Sequence, residues 1–156
     1  MAGPTLDEVI EPGLKLLIDS SVVLSYLTGD EATSPTATLL FDGFLATGRD
    51  LGALSMVTVG EILVRPFRVG AKAVSIAEGF LGHFAELDLI EIDYAIAREA
   101  ARIRAVSDLR MPDALILATA MRDGIDRLCT NDQRLAAAAA GHGIAAIVLR
   151  DVEPGS

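Results

Sequence analysis

LKLLIDSSVVLSYL, residues 14–27, decides the fold. Residues 14–18 form a short apolar run that ends at Asp19, the form of a strand buried on both faces. Residues 20–27 then read as a helix, closed by Gly29 and Asp30. The alternation continues along the chain. Ser34, as cap, and Pro35, in the first turn, start a helix that runs to about Thr47. Residues 51–55 read as a second strand and 57–65 as an apolar helix that stops at Pro66. A longer helix spans 71–87, and a third strand 89–92. Asp93 caps a helix over 94–106, and Pro112 opens one that runs to Arg122 and closes at Gly124. Residues 127–129 make a fourth strand, 131–140 an alanine-rich helix closed by Gly141, and 144–149 a fifth strand. Strands alternating with helices predict an α/β fold, a three-layer α/β/α sandwich around a parallel sheet of about five strands. Residues 1–13 read as an acidic leader, 14–150 as one domain and 151–156 as a loose tail.

Composition excludes several classes of function. The 156 residues, 51% of them apolar, suit one domain with a proper core. Cys129 stands alone, which rules out an internal disulfide and a cysteine-based zinc site. His83 and His142 are too few and too scattered for a histidine-based centre. The first thirteen residues carry Asp7, Glu8 and Glu11 and no basic residue, unlike a secretory signal. No apolar run approaches the ~20 residues that span a bilayer. The expectation is a soluble cytoplasmic protein with no membrane partner. A net charge of −9 counts against binding nucleic acid by bulk charge. It leaves room for an acidic metal site, because bound cations reverse the local field.

Four acids occupy unusual positions. Asp19 ends the first strand, at the edge where open parallel sheets collect ligands; it also suits a helix cap. Glu61 is the only charge in MVTVGEILV, residues 56–64, and its helical neighbours are mostly apolar. A buried carboxylate needs a partner or a metal, and Arg65, one turn on, is the ordinary partner. Asp113 begins DALILATA and shares a face with Ile116, Leu117 and Ala120; a first-turn acid also suits the helix dipole. Asp132 follows a strand and equally suits a cap for the alanine-rich helix. Taken together, two acids follow strands and two sit near the beginnings of apolar helices. Those positions lie at one edge of a parallel sheet. Carboxylates gathered there repel unless cations or protons intervene. Oxygen ligands suit Mg²⁺ or Mn²⁺, and phosphodiester hydrolysis is the chemistry such a centre favours.

Asp19 in LLIDSSVVLSYL, Glu61 in SMVTVGEILVRP, Asp113 in LRMPDALILATA and Asp132 in LCTNDQRL resemble, in that order, the four acidic signatures of PIN domains. The match is closest to the VapC toxins of toxin–antitoxin pairs and covers residues 14–148. The resemblance implies a Rossmann-like sandwich, Mg²⁺- or Mn²⁺-dependent endoribonuclease activity, a homodimer and an inhibitory antitoxin partner. It implies that Asp19 and Asp113 are the principal metal ligands and that Asp132 completes the site. Glu61 then binds the metal directly or through water and helps place the nucleophile. Thr130 and Asn131 support the last acid by hydrogen bonds, and Ser20 and Ser21 sit where the family carries small polar residues. The chain departs from the pattern in its longer leader and in Gln133-Arg134-Leu135, which replaces a more common charged-then-aromatic ending.

Basic side chains fall into groups. Arg65, Arg68, Arg98, Arg102 and Arg110 are candidates to hold RNA phosphates beside the cleft; surface pairing, for example with Glu99, is the competing role. The large apolar content points to a self-complementary interface and a twofold dimer. Two other readings stay open: a different metal-dependent phosphohydrolase, such as a phosphatase, and a non-catalytic binding module of the same fold. A haloacid-dehalogenase-like phosphatase would carry a second aspartate where this chain has Ser21.

Overall fold

The structure is a computed structural model that describes residues 2–84 and 87–155; the side chain of His83 is outside that set, as is the stretch at 85–86 where the sequence predicted the end of a helix. Five strands form one sheet: β1 (Lys15–Ile18), β2 (Leu51–Ser55), β3 (Leu87–Ile90), β4 (Arg127–Thr130) and β5 (Ala146–Val148). Their order is β3-β2-β1-β4-β5 and every pairing is parallel, as the strand–helix alternation predicted. The chain winds outward from β1 to β3, then returns to place β4 on the other side of β1. The β1/β4 boundary is therefore the switch point, where the carboxyl ends of the strands open a crevice.

Period-two alternation sorts the strand residues into two cores. Leu16, Ile18, Leu54, Cys129 and Ile147 belong to one, with α1 (Leu6–Val9), α2 (Ser20–Thr28) and α3 (Ser34–Thr38). Leu17, Ala53, Ile90 and Leu128 belong to the other, with α6 (Tyr94–Ala105), α7 (Met111–Arg122) and α8 (Gln133–Gly141). Between them α4 (Met56–Val69) sends Ile62 to the first core and Val57 to the second. It touches both α2 and α7, and α5 (Ala71–His83) packs against it. Cys129 is fully buried, and burial pushes its thiol up to about 12.

Several boundaries differ from the sequence expectation. Ser34 is not a helix cap. Its hydroxyl donates to the Ser25 carbonyl at 2.6 Å and accepts from the Glu31 N–H at 3.0 Å, tying the α2–α3 connection. After α3 the chain widens into a π-helical stretch, Leu39–Leu45, rather than continuing as α-helix; the Ala46 N–H reaches the Phe41 carbonyl at 2.8 Å. The wider turn brings residues four and five apart nearer alignment. Leu40, Phe41, Phe44 and Leu45 are accordingly all buried.

Pro66 does not stop α4. Its ring falls in the last turn, where the N–H it lacks costs one helical bond, to the Ile62 carbonyl, and the Gly70 N–H still closes the helix on the Pro66 carbonyl at 3.0 Å. Leu87 belongs to β3 rather than to the preceding helix, because it pairs beside Gly52 of β2. Gly141 lies inside α8, and the left-handed turn falls at Gly143, with φ 78°.

The two chain ends meet. Thr5 bridges Glu153, and the Leu6 N–H donates to the Glu153 carbonyl at 2.9 Å. Leu6, Ile10 and Val152 join the first core, so both segments read as leader and tail contribute to it. Arg49 and Asp50 fasten this region. Asp50 is buried, accepts the Leu14 N–H at 2.9 Å and pairs with Arg49. The Arg49 guanidinium also donates to the Ile10 carbonyl at 2.7 Å and lies 3.9 Å over the Phe44 ring.

Candidate active site

All four acids reach the crevice edge. Asp19 follows β1 directly and is 6% exposed. Its Oδ1 accepts the Ser20 N–H at 2.8 Å, so it caps α2, as one reading of the sequence held. Its Oδ2 accepts hydroxyls from Ser21 at 3.1 Å and Thr130 at 2.8 Å. These donors hold the carboxylate in one orientation. Asp132 caps α8 with one oxygen only: Oδ1 accepts from the N–H groups of Arg134 at 2.9 Å and Leu135 at 3.3 Å. Capping and a place in the crevice are thus compatible for both residues.

Thr130 joins these two acids. At the end of β4 and fully buried, it donates to Asp19 and accepts the Asp132 N–H at 2.9 Å. Replacing it by Val keeps the shape, strips a donor from Asp19 and orphans the Asp132 N–H. The expected loss is about 1–3 kcal/mol of stability, read from urea unfolding. A variant as stable as the parent would show that Thr130 has no such linking role.

Asn131 behaves differently from its sequence expectation. Its side chain turns away from the acids, donating to the Thr33 hydroxyl at 3.3 Å and accepting the Arg150 N–H at 3.2 Å. Its own N–H donates to the Ser21 Oγ at 3.0 Å, so it supports Asp19 through Ser21. Ser21, Thr33 and Arg150 were not singled out as site residues. Ser21 had a legible signal, a hydroxyl two positions after a strand-end acid.

Glu61 and Asp113 arrive from the helical side. Because α4 lies against both α2 and α7, its second turn brings Glu61 between Asp19 and Asp113. Partial burial and the charges of Asp19 and Asp113 push the Glu61 carboxyl up, while a Ser20 hydrogen bond and Arg110 pull it back. Glu61 nevertheless keeps an exposed flank, so it stands at the rim. Asp113 is also raised, first by desolvation and then by Asp132 and Asp19, against the opposing pull of Arg110. Arg110 Nε lies 3.5 Å from Asp113 Oδ2. Asp113 thus feels both Asp19 and Asp132, and Glu61 feels Asp19 and Asp113.

Of the five arginines expected beside the cleft, Arg110 alone is brought to the acids. Arg102 pairs with Glu99 on its own helix. Arg65, Arg68 and Arg98 are exposed and make no hydrogen bond or ion pair with the four acids.

Among the described residues, no three acidic, histidine or cysteine side chains already stand close enough to enclose a cation. Mg²⁺ does not require such a cage, since it keeps several waters and takes one or two carboxylates. An oxygen-only set of mutually repelling carboxylates, two of them raised above their usual range, fits such a hard cation.

A family model described as PIN domain matches residues 16–141, most of the chain and all four acids. The chain belongs to the PIN domain family. Solved structures agree on the fold. A VapC toxin of Mycobacterium tuberculosis, described as cleaving the sarcin–ricin loop, superposes with a TM-score of 0.66 at 18% identity, covering 79% of this PIN domain chain and 94% of its own. A toxin–antitoxin complex from Klebsiella pneumoniae gives 0.61 at 22% identity, covering 86% and 97%. A VapBC complex from Rickettsia felis, bound to a DNA fragment from its promoter, gives 0.64 at 13% identity, covering 86% and 98%. No curated protein sequence matches this PIN domain.

Proposed function

We propose that this PIN domain is a divalent-metal-dependent endoribonuclease and the cytoplasmic toxin of a toxin–antitoxin pair. The supporting observation is that Asp19, Glu61, Asp113 and Asp132 gather beside the sheet's switch point, Asp113 feeling the charges of Asp19 and Asp132, and Glu61 those of Asp19 and Asp113. The similarity to VapC, VapBC and other toxin–antitoxin structures supports the same reading. Asp19 and Asp113 hold Mg²⁺ or Mn²⁺ and Asp132 completes the set; such an ion lowers the pKa of water and offsets charge on a scissile phosphate. Glu61, at the rim, orients the attacking water. Arg110 offers the phosphate a planar fork of donors. Ser20, Ser21 and Thr130 keep the carboxylates aimed, and Asn131 keeps Ser21 in place.

Among the described residues no helix is long and apolar enough to cross a membrane. Val64, Phe67, Val69 and Ile76 are exposed apolar side chains on α4 and α5. Exposed apolar side chains on this helix pair suit a protein partner, either an antitoxin or a second copy.

Activity and ion binding can be read together. Structured RNA is cleaved with Mg²⁺ or Mn²⁺ and left intact with a chelator, while small phosphate monoesters are not hydrolysed. Raised folded values mean that Glu61 and Asp113 keep protons the unfolded chain has lost. Stability therefore falls as pH rises through that window, and both charged carboxylates oppose folding above it. A divalent ion relieves the repulsion. At a hundred times its Kd and pH 7 it stabilises by about 2.7 kcal/mol, or roughly 5–10 °C in Tm. That gain shrinks as pH falls and the acids take up protons. Absence of both RNA cleavage and a metal-induced Tm rise at neutral pH would overturn the proposal; turnover of phosphate monoesters alone would indicate a phosphatase.

A further inference from the structure

Beside the acids a groove of about 710 Å³ opens between α2, the start of α3 and the end of β5. It adjoins the catalytic crevice through Ser21 and Asn131, the pair that buttresses Asp19. Leu24 and Ala32 give it an apolar wall, and Thr33 a hydroxyl. Arg150, just past β5, supplies its cation. The Arg150 backbone N–H donates to Asn131 Oδ1, and one guanidinium nitrogen donates to the Asn131 carbonyl. The guanidinium is thus anchored at one corner, pairs with no carboxylate among the described residues, and has further N–H groups to offer. Glu31 also lines the groove but forms no ion pair with Arg150.

An RNA strand with its scissile phosphate at the acids must leave the crevice in both directions. Arg110 stands on the α7 side of the acids. Arg150 stands across β4, on the side of α2 and α3. A guanidinium held by a neutral carbonyl beside an acidic centre is placed to receive an anion that the centre itself repels. We propose that the Arg150 groove is a subsite for the nucleotide flanking the scissile bond, with the flanking phosphate on Arg150 and the nucleoside against Leu24 and Ala32. This rests on the nuclease reading for its substrate, and it adds a binding residue outside the four acids.

The test is a binding measurement, kept apart from turnover. In the Asp19→Asn full chain with Mg²⁺, a fluorescein-labelled single-stranded oligoribonucleotide is titrated by anisotropy at several salt concentrations. Arg150→Gln should weaken binding roughly tenfold and lower the slope of log K against log salt by about one. Arg150→Lys should restore the slope, because the charge returns, and only part of the affinity, because the fork does not. A merely structural role for Arg150 would lower Tm and leave the salt slope unchanged. Arg150→Gln affinity within about twofold of its parent at an unchanged slope, or no binding by the parent, overturns the subsite. RNA cleavage by the wild-type chain is scored separately. Cleavage without an Arg150 effect removes the subsite alone, whereas an Arg150 effect without cleavage removes the nuclease reading and leaves an RNA-binding groove.

Discussion

Asp19→Asn will cut metal-dependent RNA cleavage by about a thousandfold while leaving the fold intact. The substitution removes the charge that sits deepest in the crevice and keeps the shape. The new amide has a good place to go. Its oxygen can keep the Ser20 N–H, which is fixed, and its nitrogen can face the hydroxyls of Ser21 and Thr130, which rotate to accept. Removing one of four mutually repelling carboxylates also relieves Glu61 and Asp113, both of which are raised in part by Asp19. Thermal stability without metal should therefore hold or rise slightly, and the metal-induced Tm gain should shrink. Single-turnover cleavage and a melting curve with and without Mg²⁺ decide it. Undiminished cleavage would remove Asp19 from the catalytic centre. A collapse in Tm would mean the residue is chiefly a cap.

The second large effect lies at the other end of the strands and concerns stability alone. Arg49→Ala should destabilise the chain by about 3–5 kcal/mol, because it leaves Asp50 as an unpaired charge in the interior. It also removes the donor to the Ile10 carbonyl and the cation stacked on Phe44. For a chain of this size the loss is on the order of 10 °C in Tm. Adding Asp50→Asn should recover part of it, since the amide still accepts the Leu14 N–H without carrying a charge. Urea unfolding of the single and double variants reads the difference. A single-variant loss under about 1 kcal/mol would show that the pair is already solvated. Cleavage per folded molecule should not change, because Asp50 precedes β2 and the acids lie beyond the opposite ends of the strands.

Much of this was legible because the signals were local. The run before Asp19, the cap at Asp93 and the glycine at Gly124 each fix an element through their own neighbours, and those elements stand where the sequence placed them. Parallel pairing followed from the alternation of strands and helices. What escaped depends on distant partners. Leu87 joins a strand because β2 is beside it, and Ser34 bonds to α2 rather than to its own helix. The crevice shows the same division. Each acid could be named from its place on an element, but not the turn of the Asn131 side chain toward Thr33 and Arg150, nor the commitment of Arg102 to Glu99.

The solitary thiol of Cys129 has a practical consequence. It sits next to Thr130 in the strand that carries the acid-linking hydroxyl, sealed from solvent and held protonated at neutral pH. Its side chain faces the first core, so a water-soluble alkylating reagent can reach it only when the helical layer of that core lifts from the sheet or the chain unfolds. The rate of labelling, followed by intact mass, is thus a clock for the opening of the core that backs the catalytic strand. Because the chain has no second cysteine, the signal needs no engineered probe.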